Sequence, residues 1–467
     1  MAPVGNVILG NHIHRGGVIR AYCSGVHLDS RPLALSQVQG NYVGFNHIHD
    51  MPRNGIFAFR NQGGNIFEAN HIHDVLQRTN DGGAIHLASM NPLCAPTHIV
   101  DNRIYRVGYQ GGGANVNLSF GIYPDWFTSR MVIRGNIVTD TRDGGIRLLG
   151  GDEALIEDNL VGDDPTASIV FGYWNTKSVW GITLKGNTVI NGKGHWIRFY
   201  VDRSGVNIDS VVARPAEQFR SEENTFWGRG SGGGLAVAAG ASGPLKSSDR
   251  APALDAWQAA GGEARSVVRD PGGDGAIDTS TSPDTFGQGT QTMRRMAVPR
   301  SPEEAKRWLM KLEGTAAFAT FYDSDRVSGS PDWKPTLTRI TEGMAFADQK
   351  QAESRETGGA ISFTAELEPG ASYEVFVKWY GPPAERAPEV DVELTAPGAK
   401  PQTIRLNHRQ EAHKWLRVGV VEPRSAGKAA VTIRNLGGGM TAINSVAWLK
   451  LPAQGDREEL VCDKYQE

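Results

Sequence analysis

Short β-prone apolar runs, separated by Gly, Asn and Asp corners, fill the first half of the chain. An Asn-x-apolar motif recurs at Asn11, Asn46, Asn70, Asn102, Asn136, Asn159, Asn187 and Asn224. The shortest intervals, 46 to 70 and 136 to 159, are 24 and 23 residues, and the longer ones correspond to one unit plus an insertion. A second run follows, as in "NGIFAF" (54–59), "GGAIHL" (82–87), "FGIYPD" (120–125), "GGIRLL" (144–149) and "SIVFG" (168–172). Two or three short strands per unit with such corners predict a right-handed parallel β-helix. Its coils stack at the ordinary inter-strand spacing of about 4.8 Å.

Stacking places the repeated asparagines in an inward ladder, their amides bonding up and down the stack. The aliphatic residues that follow (Ile13, Ile48, Ile72, Ile104 and Ile137) are expected on the same inward face. In "GNHIHR", "FNHIHD" and "ANHIHD", the histidines His12, His47, His71, His14, His49 and His73 then point outward. The repeat accounts for their spacing without a metal, so no metal or cofactor is expected. Asp50, Asp74 and Asp140, each four residues after a ladder Asn, read as corner residues.

Beyond about residue 230 the pattern weakens. Residues 228–243 read as a loop, 253–272 as a short helix, a turn and a strand, and 301–313 as a helix opened by a Ser301/Glu304 capping box. From 314 onward, alternating strands such as "SYEVFVKWYG" and "AAVTIRNL" suit a β-sandwich. The fold is therefore expected to be all-β: a β-helix over 1–295, a linker helix over 296–313 and an accessory β-sandwich over 314–467.

Composition narrows the partners. The chain has 467 residues, a net charge of −3 and no basic stripe, which argues against nucleic acid. No apolar run is long enough to span a membrane. The three cysteines, Cys23, Cys94 and Cys462, cannot form a disulfide framework. The first residues enter the repeat at once, with no signal peptide; on this reading, N-terminal coils are missing.

Insertions locate the working face. From ladder Asn to the Gly of the second strand there are 9 residues in the Asn46 and Asn136 coils, 13 in the Asn70 coil and 19 in the Asn102 coil. Adjacent bulges make a wall, and walls make clefts. Beside it lie Asp81, Asp125 and Asp143, with His86, Tyr123 and Arg147 on the same three strands. Glycosidic hydrolysis needs one carboxylic acid to protonate the leaving oxygen and a second carboxylate as nucleophile or base. Asp81 and Asp143 stand two coils apart, about 9.6 Å by stacking, which suits inversion. Asp81 and Asp125 are one coil apart but at opposite strand ends. Beside a glycine, Asp81 and Asp143 also read as Asx-turn formers. Tyr109, Trp126 and His73 are candidate substrate contacts, and Trp379, Tyr380 and Trp415 are candidate sugar platforms in the sandwich, with Trp448 in its core.

The stretches "NHIHDVLQRTNDGGAIHL" and "GIYPDWFTSRMVIRGNIVTDTRDGGIRLL", with "LDAWQAAGGEARSVVRDP", resemble the β-helix enzymes of glycoside hydrolase family 141 and their relatives over roughly residues 1–290. The resemblance implies catalytic carboxylates at Asp81 and Asp125, a plant-type polysaccharide or oligosaccharide substrate, and a secreted or periplasmic location. Trp126 stands where an acidic residue is common in the family, and Pro124 where an aliphatic is usual. Two other readings are open. A uronate lyase or epimerase needs a base and a means of neutralising a carboxylate, often Ca²⁺; no lysine precedes Lys177, leaving Arg78, Arg142 or Arg147. A non-catalytic carbohydrate-binding β-helix would use the aromatics alone. The sequence leaves oligomeric state open.

Overall fold

The computed structural model describes residues 5–29, 40–59, 64–88, 97–108, 118–125, 128–149, 152–162, 164–174, 180–191, 194–202, 219–228, 235–239, 265–269, 316–320, 327–330, 333–337, 350–379, 386–408, 415–443 and 445–451. Among them there is no helix, and the elements are strands joined by turns. Three parallel sheets of eight, nine and eight strands run side by side. Successive strands go to the first, second and third sheet in turn, and neighbours within each sheet come from successive coils. This is the expected right-handed parallel β-helix. Beyond residue 315 the described strands form antiparallel sheets of four, five and three strands, a β-sandwich. Of the helix, turn and strand expected over 253–272, the strand is present as Val267–Arg269 and the rest lies outside the described residues, as do the helix expected over 301–313 and the segment joining the two regions.

The asparagine ladder is continuous. Asn11, Asn46, Asn70, Asn102, Asn136, Asn159 and Asn187 each donate both backbone N–H and side-chain Nδ2 to Oδ1 of the next ladder Asn, at 2.9–3.1 Å. Asn224 closes it by donating its N–H to Ser266 Oγ at 2.9 Å. From Asn46 onward each Nδ2 also reaches a carbonyl of the preceding coil, as Asn136 does to Ile99 at 2.8 Å. Every amide is thus satisfied although the asparagines from Asn46 are nearly solvent-free.

A common backbone corner precedes each ladder residue. Gly10, Phe45, Ala69, Asp101, Gly135, Asp158, Gly186 and Glu223, and Arg265 before Ser266, all have φ between 49° and 68°. Such left-handed backbone is unfavourable for residues with a Cβ. A second corner lies four residues beyond the ladder, at Arg15, Asp50, Asp74, Arg106 and Asp140, with φ between 50° and 53°. The expected corner role of the three aspartates is observed.

Between the corners, Ile48, Ile72, Ile104, Val138, Val161 and Val189 point into the core. Ile137 does not. It pairs in register with Arg103, while Val138 pairs with Ile104, so Ile137 belongs to the outward column. It follows its Asn by one residue rather than two, and strand parity turns it outward. A second ladder escaped the sequence reading: Asn6 donates to Asn41 Oδ1, Asn41 donates to Asn65 Oδ1, and Asn65 N–H reaches Thr97 Oγ1.

In the sandwich, Phe363, Val392 and Val431 of one sheet share a core with Val375, Val377 and Trp448 of another. Trp448 is buried, as expected. Trp379 is also buried, 1% exposed with its ring 4.4 Å from that of His408, so it is a core residue rather than a sugar platform. Tyr380 lies outside the described residues.

Two stability effects follow. Asn136→Leu removes the acceptor of the buried Asn102 N–H and one of the partners of its Nδ2, and urea denaturation should show a loss of about 1–3 kcal/mol. Ala69→Gly relieves a left-handed alanine and should gain up to about 1 kcal/mol in the same assay; a loss would mean that the corner is not strained.

Candidate functional site

The outer face of the third sheet carries an unbroken column of side chains. Parallel register aligns His27 with Phe57, Phe57 with His86 and His86 with Tyr123. The pairing of Ile122 with Ile146 brings Arg147 next, followed by Val170 and Arg198. The rings stack along the solenoid axis. His27 and Phe57 are 5.1 Å apart, Phe57 and His86 4.8 Å, and His86 and Tyr123 4.7 Å with nearly parallel planes. The Arg147 guanidinium lies 4.8 Å over Tyr123 and 4.6 Å over Phe120, a cation–π arrangement. His86, Tyr123 and Arg147 are 3%, 1% and 3% exposed, so the middle of the column is buried, whereas Phe57 is half-buried and His27 exposed.

Asp125 ends the strand Ser119–Asp125, where the column meets a less buried edge. Its Oδ2 lies 3.4 Å from His86 Nε2, a long contact, with the carboxyl side chain 14% exposed and the imidazole 4%. The other ring nitrogen, His86 Nδ1, is buried without a hydrogen-bond partner among the described residues. Thr128 Oγ1 donates to the Asp125 carbonyl. His86, Tyr123, Arg147 and Asp125 are therefore brought together, as the sequence suggested. Phe57, His27 and Arg198 belong to the same column and were missed; only the register between coils of unequal length reveals them.

The other carboxylates stand apart. Asp81 precedes the strand Gly82–Ala88, and Asp125 pairs with Ala88 at its far end. Seven residues of strand separate the two positions, more than about 20 Å. Asp81 is exposed with φ 58°, and its carbonyl accepts from Arg53 Nη2 at 2.9 Å. Asp143 is 5% exposed, and its Oδ2 accepts the Ser119 N–H at 2.8 Å. Burial pushes its carboxyl up to about 6, against the opposing pull of the Ser119 N–H and of Arg142, Arg147 and Arg198. Asp143 thus serves the corner of its coil. Tyr109 and Trp126 lie outside the described residues.

His73 sits on the second sheet, in a different side-chain cluster. His12, His47 and His71 form one outward column, closed by Arg103. His14, His49 and His73 form the parallel column, closed by Tyr105. Adjacent rings within each column are parallel and 4.7–5.1 Å apart. Desolvation and neighbouring imidazoles lower His47, and the same causes, with Arg103, lower His71 to about 4.

A sequence model described as the right handed beta helix region matches residues 42–213. No curated protein matches the chain. Among solved structures, a Paenibacillus xanthan lyase is similar at 20% identity and a TM-score of 0.26, covering 29% of this chain and 13% of that one. An exo-β-1,3-galactanase from Phanerochaete chrysosporium is similar at 11% identity and a TM-score of 0.20, covering 29% of each chain. The Dettilon tailspike protein is similar at 12% identity and a TM-score of 0.31, covering 93% of this chain and 81% of that one. The chain thus spans less than a third of the lyase and of the galactanase.

Asp143 makes a pH prediction. Its folded-state value lies above the ordinary 3.8, so between about pH 4 and 6 the folded chain binds the extra proton. That contribution, on the order of 2–3 kcal/mol, is present below the window and is lost as pH rises through it. Asp143→Asn keeps an acceptor for Ser119 and removes this component. Comparing denaturation midpoints of the two proteins from pH 4 to 7 should show the difference in slope; parallel curves would place Asp143 in a solvated setting.

Proposed function

We propose that the chain is a polysaccharide-cleaving enzyme of the β-helix type, a glycoside hydrolase that works at the Asp125 end of the third sheet. The observation that carries this reading is the Asp125–His86 couple: a partly exposed carboxylate at a strand end, backed by a buried imidazole. Asp125 gives its proton to the departing glycosidic oxygen, water adds to the anomeric carbon as that bond breaks, and the proton the water sheds returns to the Asp125 carboxylate, which His86 positions. The resemblance to glycoside hydrolase family 141 supports a plant-type polysaccharide as substrate and a secreted or periplasmic location. In this reading residues 1–295 form the cleaving unit and 314–467 an accessory sandwich. Asp81 and Asp143 are not its second carboxylate, because one lies at the opposite strand end and the other is committed to Ser119.

One observation favours a second reading, eliminative cleavage of a uronate chain. Arg147 lies over Tyr123, whose ring stacks on His86, which sets a cation beside two proton-transfer groups.

The test follows reducing ends and the ultraviolet absorbance of unsaturated uronates together, on neutral and acidic plant polysaccharides and aryl glycosides. Hydrolysis predicts reducing ends without absorbance. Asp125→Asn should lower kcat by about 10²–10⁴-fold, while Asp81→Asn leaves it within a few-fold. Absorbance lost in Arg147→Ala would move the protein to the lyases, and silence on every substrate would overturn both readings.

A further inference from the structure

Among the described residues, the clustered metal-ligating atoms are those of the histidine ladder on the second sheet. We infer that this ladder is a binding site for a late first-row divalent cation of the zinc class, held by Nε2 of His47, His71 and His73. The ligand atoms of these three residues lie within 4.8 Å of one another. His47 Nε2 and His73 Nε2 are already 2.9 Å apart. Imidazoles on one zinc ion at 2.0–2.1 Å sit roughly 3.3 Å apart in a tetrahedron, so small ring rotations bring the set onto an ion. His71 exchanges its 2.9 Å contact with the Tyr105 hydroxyl for the metal.

The outer partners make the cluster more than a row of stacked rings. His73 Nδ1 lies 2.6 Å from Asp74 Oδ2. A hydrogen bond from Nδ1–H to that carboxylate fixes the tautomer and leaves Nε2 as the lone-pair atom, the arrangement carboxylates impose on metal-bound histidines. Asp74 is in turn held by Arg106, whose Nε donates to Oδ1 at 2.9 Å. Its left-handed backbone, φ 50°, curls the carboxylate back onto its own neighbour.

The same constellation recurs one coil earlier. His12, His47 and His49 also cluster within 4.8 Å, with His12 Nε2 and His49 Nε2 2.7 Å apart and His49 Nδ1 2.9 Å from Asp50 Oδ2. His47 belongs to both triads, so only one can be filled by three imidazoles at a time. The less exposed triad, with the Arg106 clamp, takes the ion. Imidazole donors suit zinc, nickel or copper and not magnesium or calcium. Outward parity alone accounts for the spacing of these histidines, so the repeat by itself points to no metal.

The full-length protein, stripped with a chelator, would be titrated with zinc by calorimetry and by competition with a chromophoric chelator. One tightly bound zinc per chain is expected, with no heat from magnesium. Asp74→Asn leaves every imidazole in place and should weaken binding about 10–100-fold. His47→Ala should abolish tight binding, and His27→Ala, on the third sheet, should leave it unchanged. Failure of the wild-type chain to compete with the chelator would overturn the site. So would unchanged zinc affinity in Asp74→Asn, a result that stands even if His47→Ala does not fold.

Discussion

A buried amide that bonds to its own copy in the next coil is the interaction on which the whole β-helix rests. Each ladder Oδ1 accepts two donors from the preceding asparagine, and from Asn46 onward each Nδ2 finds a carbonyl one coil back. An isolated asparagine among Ile and Val side chains would be costly; a stack of them is self-satisfying. The ladder also sets phase. One residue per coil is pinned, and strand parity then decides which neighbours face the core and which line the outside.

Phase is what assembles chemistry on the surface. His86, Tyr123 and Arg147 meet because three coils with different insertions re-enter the third sheet in the same register. The same rigidity keeps Asp81 from Asp125, since they are joined to opposite ends of paired strands. It also turns a short repeated phrase into two columns of imidazoles whose separation is set by inter-strand distance rather than by loop conformation.

Much of this was legible in the sequence because the ladder residue is Asn from Asn11 to Asn224 and its inward neighbour is apolar. The reading failed where a rule of type replaced a rule of position. Ile137 looked like an inward aliphatic but stands one place too early. The second ladder was hidden by its brevity, although Asn6, Asn41, Asn65 and Thr97 each precede a main-ladder Asn by five residues. It ends at Thr97, which pairs with Met131, a side chain that cannot continue the hydrogen bonds. The Asp125–His86 contact depends on register across a long insertion, which spacing within one coil does not encode. Trp379 illustrates the sandwich's own ambiguity: alternation marks a strand, but not which face is covered.

The left-handed corner before each ladder asparagine has a consequence for how such a chain changes over time. Gly, Phe, Ala, Asp, Glu and Arg all occupy it with the same φ. The conformation is dictated by the hydrogen bonds on either side and not by the resident side chain. A coil can therefore be duplicated, lost or rewritten at its corners while the stack stays in step, so that descent is recorded in the periodicity of the amides long after residue identity has faded.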